Sequence, residues 1–309
     1  MLYSPLRYPG GKNKLSAFIA QICHDNNING HYVEPYSGGA SVALFLLLEG
    51  FVEKITINDK DRSIYAFWFT VLYYTEELCG LILKTPLTVN EWKNQKKIQA
   101  DKENANLLDL GFSTFYLNRT SRSGIINAGV IGGINQEGNY LMDCRYNKVE
   151  LIERIKSIAA QRTNIDLFNM DAIELIELIK KSPNLDNTIF YFDPPYYLKA
   201  SSLYLNHYNS NDHLLVSEKI KGITDIKWII SYDNVPEICE LYQECSQKEF
   251  SFKHTAYQSR IGKEILFFSN NLKQPTISNW NPLNFVVNRK GENKSIHYKE
   301  KDRTLEFTY

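Results

Sequence analysis

The stretch Phe190-Tyr191-Phe192-Asp193-Pro194-Pro195-Tyr196-Tyr197 limits what this chain can become more than any other. The apolar run Thr188 to Phe192 has the pattern of a buried strand, and it ends on an acid, two prolines and an aromatic pair. Prolines cannot continue a hydrogen-bonded ladder, so the strand must stop there. In an open α/β sheet, ligands bind at the carboxyl ends of the strands. The tetrapeptide Asp193-Pro194-Pro195-Tyr196 suits an exocyclic amino group on a flat base. Asp193 can accept one amine hydrogen and the Pro194 carbonyl another, while Tyr196 stacks on the ring. Two acceptors hold the nitrogen lone pair out of the base plane, open to an electrophile. The plain alternative is a strand ending in a rigid turn, with Tyr196 and Tyr197 packed on the surface.

Two earlier stretches have the same strand-then-ligand grammar. Tyr32-Val33-Glu34-Pro35-Tyr36-Ser37-Gly38-Gly39-Ala40-Ser41 reads as a strand, a glycine turn and a helix from about Ala40 to Glu49. The dinucleotide spacing Gly-x-Gly-x-x-Gly is absent, and no Lys-Ser/Thr follows the glycines as in a phosphate loop. Glu34 at the strand tip repels phosphate and welcomes a cation such as an α-ammonium group; a capping glutamate is the alternative. Lys54 to Asp59 is the next strand, ending on an acid about twenty residues after the turn, a distance that suits ribose hydroxyls. Asn58, Asp59 or Asp61 can equally cap the following helix, predicted from Arg62 to roughly Leu83. Before both lies Arg7-Tyr8-Pro9-Gly10-Gly11-Lys12, ahead of a helical pattern through Leu15, Phe18, Ile19 and Ile22. There Gly10 and Gly11 let backbone approach a ligand, Lys12 can pair with a carboxylate, and Tyr8 can pack on a flat or sulfonium group.

From Lys84 to about Tyr146 the pattern changes. Lysines 93, 96, 97 and 102 lie on a polar helical stretch, followed by Phe112 to Gly124, which includes Asn118, Arg119 and Arg122. A glycine-rich loop with Gly129, Gly132, Gly133 and Gly138 comes next. A segment this long points to function rather than connection. Its alternation of basic, hydroxyl and aromatic residues fits phosphate and base-edge contacts; a solvated helical cap is the alternative. Lys148 to Ala160 reads as a helix, Ile165 to Phe168 as a strand and Asp171 to Lys180 as a helix. Asp171 can cap that helix or accept from an adenine amino group. After the organising strand, Lys199 to Ser210 is a candidate mobile loop. Helices Leu214 to Lys221 and Val235 to Tyr242 and strands Lys227 to Ser231, Lys248 to Phe252 and Lys263 to Phe268 complete the pattern. His254 to Arg260 forms a basic hairpin tip suited to phosphates. His207 and His254 are weak candidates for a general base. Residues 271–309 read as a tail or small β appendage.

With 35 basic and 35 acidic residues the formal net charge is zero, so any polyanion must be met by local basic patches. The five cysteines, 23, 79, 144, 239 and 245, are scattered and lack zinc spacing. They read as reduced thiols of a cytoplasmic protein with no metal site. The start Met1 to Pro5 has no signal pattern, and no apolar run is long enough to span a bilayer.

Taken together, these motifs resemble the Dam-like bacterial and phage DNA adenine-N6 methyltransferases, from about Leu6 to Ser269 and in matching order. The resemblance implies an α/β fold: a Rossmann-like S-adenosylmethionine-dependent methyltransferase sheet with helices on both faces, plus an inserted, mainly helical DNA-recognition domain. It implies a catalytic domain of residues 1–84 and 147–270, a target-recognition domain of 85–146, and a tail of 271–309. Asp193, Pro194, Pro195 and Tyr196 become the catalytic tetrapeptide. Tyr8, Gly10, Gly11, Lys12, Glu34, Pro35, Tyr36, Gly38, Gly39, Asp59, Asp171 and Asp193 become the residues around S-adenosylmethionine. Leu117-Asn118-Arg119 matches the family's run before its recognition hairpin, so Asn118, Arg119, Arg122, Lys199 and Arg260 become the expected DNA contacts. Tyr36 stands where the family usually has Phe, and Thr120 to Asn139 departs from members that read GATC. The implied reaction moves a methyl group to N6 of an adenine flipped out of duplex DNA. Cytosine-N4 methylation, RNA adenine methylation and a catalytically silent DNA binder are the rivals; the acid at Asp193, where cytosine enzymes more often carry Ser, favours adenine. The expected partner is double-stranded DNA, with no membrane and no metal, acting as a monomer or weak dimer in a bacterial or phage-infected cell, with or without a cognate restriction enzyme.

Overall fold

A computed structural model describes residues 3–8, 10–198, 208–254, 260–277, 281–290, 293–299 and 304–307. The chain is mixed α/β. Its main sheet has seven strands: β1 (His31–Glu34), β2 (Lys54–Asn58), β3 (Ile165–Phe168), β4 (Thr188–Phe192), β5 (Lys227–Asp233), β6 (Ser246–His254) and β7 (Arg260–Phe268). Their order is β3-β2-β1-β4-β5-β7-β6. After β1 the chain moves outward to β2 and β3, then returns to place β4 on the other side of β1. That reversal puts the topological switch point, the usual ligand crevice of such sheets, between β1 and β4. β1 and β4 are parallel, with Val33 opposite Phe190, and β4 and β5 are parallel, with Phe192 opposite Ile230. β7 runs antiparallel to both β5 and β6. Every residue of β4 is buried, as its unbroken apolar run requires of a parallel strand covered on both faces.

The chain forms two compact units. The second comprises residues 12–35, 41–55 and 176–309. It holds α1 (Ser16–Asp25) and α2 (Ser41–Leu48), whose residues Val42 to Leu47 are all buried, as befits a helix apolar on every side. The expected tail is a three-stranded antiparallel sheet of β8 (Phe285–Lys290), β9 (Asn293–Lys299) and β10 (Thr304–Phe307). Phe285 packs on Phe18 of α1 with ring centroids 5.5 Å apart. Lys294 pairs with the buried Glu49 at 3.0 Å, and Arg289 pairs with it too.

The first unit comprises residues 1–11, 36–40 and 56–175 and therefore contains all of the expected recognition segment 85–146. The single helix predicted from Arg62 to about Leu83 is two, α3 (Arg62–Tyr73) and α4 (Thr75–Lys84). At Tyr74 the backbone leaves helical geometry, with φ −129° and ψ 42°, which closes α3 and opens α4. α5 (Val89–Ala100), α6 (Leu107–Thr120) and α7 (Lys148–Ala159) follow. Gly111 lets α6 approach α3 closely: a Cβ there would stand 2.2 Å from the Thr70 hydroxyl oxygen. Phe67 and Phe115 stack across the same contact at 6.1 Å. Further α-helices among the described residues are α8 (Ala172–Ile179), α9 (Ser210–Lys221) and α10 (Pro236–Leu241).

Candidate active site

Four neighbouring strands of the second unit each bring an acid to one edge of the sheet. Glu34 ends β1, Asp193 follows β4, Asp233 ends β5, and Glu264 of β7 faces Asp233 across the ladder. One lysine, Lys12, enters this edge and is itself buried. Its ammonium lies 2.9 Å from Asp193 Oδ1, donates to the Tyr196 hydroxyl oxygen at 2.7 Å, and stands 3.8 Å from Glu264. The same ammonium sits 4.8 Å from the Tyr196 ring centre. The Tyr196 hydroxyl in turn donates to Glu264. Asp193 Oδ1 also accepts from Ser231 at 2.9 Å, and the Ser231 hydroxyl is 2.9 Å from that of Tyr191. One carboxylate oxygen is thus held by two donors, while the side chain stays 23% exposed. Asp233 accepts from the backbone amides of Tyr197 and Leu198 at 3.0 Å, fixing the chain just past the tetrapeptide.

Glu34 is buried, accepting from the Tyr32 hydroxyl at 2.9 Å and from the Ala43 amide at 3.2 Å. Burial raises its carboxyl to about 8 against those two hydrogen bonds, and the neighbouring charge of Asp193 adds to the rise. A buried carboxyl of this kind ionises readily only when a cation arrives.

In the first unit the glycine turn sits on Tyr8. Gly38 has φ +44°, and a Cβ there would meet the Tyr8 ring at 2.6 Å; a Cβ on Gly39 would meet Tyr8 at 3.0 Å. The turn is pinned by the Trp68 indole, which donates to the Gly38 carbonyl at 2.9 Å, and by Asp59, which accepts from the Gly38 amide at 2.9 Å. Burial, with Asp61 beside it, raises the Asp59 carboxyl to about 7. Within the turn Ser37 Oγ is buried without a hydrogen-bond partner. Gly10, at φ +76°, and Gly11, whose amide donates to the Tyr8 carbonyl, form the tight turn before Lys12. Pro35 is buried and Tyr36 half-buried. Asp171 caps α8 through the Ile173 amide at 3.0 Å and pairs with Lys60 at 2.9 Å, so capping is its structural role.

The expected DNA contacts separate. Asn118 and Arg119 require correction: both are buried, at 2% and 8% exposure, and spend their donors inside the unit. Asn118 accepts from the Arg7 amide at 2.7 Å and donates to the Arg7 and Gly124 carbonyls at 2.8 Å. Arg119 donates to the Pro5 carbonyl at 2.7 Å, and burial lowers its guanidinium to about 9. They end α6, a helix buried on every side from Leu110 to Thr120, and nothing in their sequence position marks that burial. Arg122 is exposed. Lys199 lies outside the described residues, as do Tyr204 and His207 of the expected loop; Arg260 begins β7, and its side chain is likewise outside them.

Sequence reasoning passed over Ser231, Asp233 and Glu264. Asp233 carries the signal used for Asp193, an acid closing an apolar strand. Glu264 stands alone as an acid before the buried run Ile265 to Phe268, a placement that costs energy unless it is paired. Ser231 carries no such signal.

The family model of the D12 class N6 adenine-specific DNA methyltransferases matches residues 8–261. The chain belongs to that family. The enzyme methylates adenine N6 in DNA. Among solved structures it is similar to a putative RNA methyltransferase from Pyrococcus horikoshii, at 10% identity and TM-score 0.39, covering 85% of this chain and 86% of that one. It is also similar to the rRNA methyltransferase AviRa from Streptomyces viridochromogenes, at 10% identity and TM-score 0.38, covering 86% of this chain and 87% of that one. No curated protein matches its sequence. Among the described residues no helix of the enzyme is long and apolar enough to cross a membrane.

Proposed function

We propose that the enzyme takes the methyl group from S-adenosylmethionine and places it on the N6 of an adenine flipped out of duplex DNA, with Asp193, Pro194, Pro195 and Tyr196 at the reacting centre. The observation that carries this reading is the state of Asp193. Lys12 and Ser231 both hold its Oδ1, and the partly exposed carboxylate keeps Oδ2 for an incoming amine. Asp193 Oδ2 and the Pro194 carbonyl accept the two amine hydrogens and turn the nitrogen lone pair out of the ring plane. N6 attacks through that lone pair and afterwards sheds its extra proton, with Asp193 Oδ2 the nearest base. Flipping the base costs roughly a few kcal/mol, offset by stacking and by these hydrogen bonds.

The residues around the cofactor fit a molecule with a cationic amino acid end and a ribose. Glu34 is a buried carboxyl that gains from a cation, Asp59 has lone pairs left for hydroxyls, and Ser37 Oγ lacks a partner. Tyr8, Gly10, Gly11, Lys12, Pro35, Tyr36, Gly38, Gly39 and Asp171 complete the set. When bound, S-adenosylmethionine supplies an electrophilic sulfonium methyl. Segment 85–146 reads the target, with Arg122 on phosphate and Asn118 and Arg119 shaping the segment from within. The enzyme works as a monomer or weak dimer in the cytoplasm. Incubation with labelled S-adenosylmethionine and duplex DNA of mixed sequence, followed by nucleoside analysis, tests the reading. Label in N6-methyladenine supports it; label only in N4-methylcytosine, or only in RNA tested alongside, overturns it.

A further inference from the structure

We propose that Glu264 is a positioning residue for methyl transfer, acting through Lys12 and Tyr196; the proposal rests on the assignment of Asp193 and Tyr196 to the reacting centre. Glu264 is 2% exposed, in a strand whose next four residues are apolar and buried. A carboxylate in such surroundings is costly unless charge and hydrogen bonds compensate it. Two of its partners are the groups that hold the tetrapeptide at its ends. Tyr196, the last tetrapeptide residue, donates its hydroxyl to Glu264. Lys12, 3.8 Å from Glu264, holds Asp193, the first tetrapeptide residue, at 2.9 Å.

One buried acid therefore anchors both ends of the motif. The hydroxyl anchor fixes the plane of the Tyr196 ring, on which a base must stack. The charge anchor keeps the Lys12 ammonium between two carboxylates, so that it binds Asp193 Oδ1 and leaves Oδ2 free. Without Glu264, Lys12 can swing to cover both Asp193 oxygens, and the tyrosine ring can turn. Both changes misplace acceptor and stacking surface without removing either.

The test uses the full-length Glu264→Ala and Glu264→Gln variants with two readouts. The first is methylation kinetics on duplex DNA. Glu264→Ala should lower kcat about 30-fold, with KM for DNA and Kd for S-adenosylmethionine within about 3-fold of native. Glu264→Gln keeps an acceptor for the Tyr196 hydroxyl but loses the charge on Lys12, and should recover part of the loss. The second readout needs no activity: acetylation of Lys12 by acetic anhydride, followed by mass spectrometry. Lys12 should be protected in the native enzyme and modified several-fold faster in Glu264→Ala, while the buried Cys23 stays closed to a thiol reagent. An unchanged kcat in Glu264→Ala, unchanged Lys12 protection, or simultaneous exposure of Cys23 would overturn the proposal. A native enzyme that labels no adenine overturns the functional reading instead, and Lys12 acetylation then decides the Glu264 contact by itself.

Discussion

Each of the two compact units buries a cationic side chain, and the two are held in opposite ways. Lys12 in the second unit meets charge: Asp193 at 2.9 Å and Glu264 at 3.8 Å. Arg119 in the first unit meets backbone carbonyls, those of Pro5 and Arg145. A charge buried against carboxylates sets how those carboxylates face a ligand. A charge buried against carbonyls binds chain to chain, and its energy goes into shape. On the reading proposed above, the difference separates a residue that serves chemistry from one that serves architecture.

The sharpest way to break this contrast is to remove Asp193. Asp193→Ala should cut kcat by about 10³-fold or more, because it removes an acceptor at the point of attack. Single-turnover methylation with saturating cofactor measures this, and a loss under tenfold would sink the chemical role. Next comes Asn118→Ala, which deletes three internal hydrogen bonds. It should cost about 2–3 kcal/mol in urea unfolding, with kcat of the folded fraction nearly unchanged. A large kcat loss at native stability would return Asn118 to the site.

A pH series sharpens the comparison between Glu34 and Asp59, one from each unit. Both are raised in the folded chain, to about 8 and about 7. Between the unfolded carboxyl range and those values the folded state binds more protons. Stability is therefore fully present below about pH 4 and declines as pH rises through 7 and 8. The melting temperature of the cofactor-free enzyme should fall across that window; Glu34→Gln should flatten the fall above pH 7, and added S-adenosylmethionine should oppose it. The smallest effect belongs to Arg122, the exposed member of the basic set. Arg122→Ala should weaken duplex binding less than about tenfold and lower the salt slope by about one, leaving the melting temperature unchanged.

What the sequence made legible follows from what each element answers to. β3 and β4 match their predicted limits, and β1 and β2 nearly so, because apolar runs bounded by acids, glycines or prolines are local signals. No glycine or proline stands at Tyr74 to announce the break there. At the site, Lys12, Glu34 and Asp193 were readable as motif residues. Glu264 was not, because it joins Lys12 across a separation of more than two hundred residues that only the strand order closes. Asn118 and Arg119 are not legible in this way, because one amide and one arginine at a helix end look the same in sequence whether they face solvent or the Arg7 and Pro5 carbonyls.

The chain passes between the two units at Gly11–Lys12, Pro35–Tyr36, Ala40–Ser41, Ile55–Thr56 and Leu175–Ile176. A cut in the gene after Leu175 would leave all of the first unit on one fragment and divide the second between two. Lys12 and Glu34 would leave with the first piece; Asp193, Tyr196 and Glu264 with the other. That cut falls inside α8 (Ala172–Ile179), so each fragment would also carry only half of a helix, and on the roles proposed for these residues neither fragment could write a methyl mark alone.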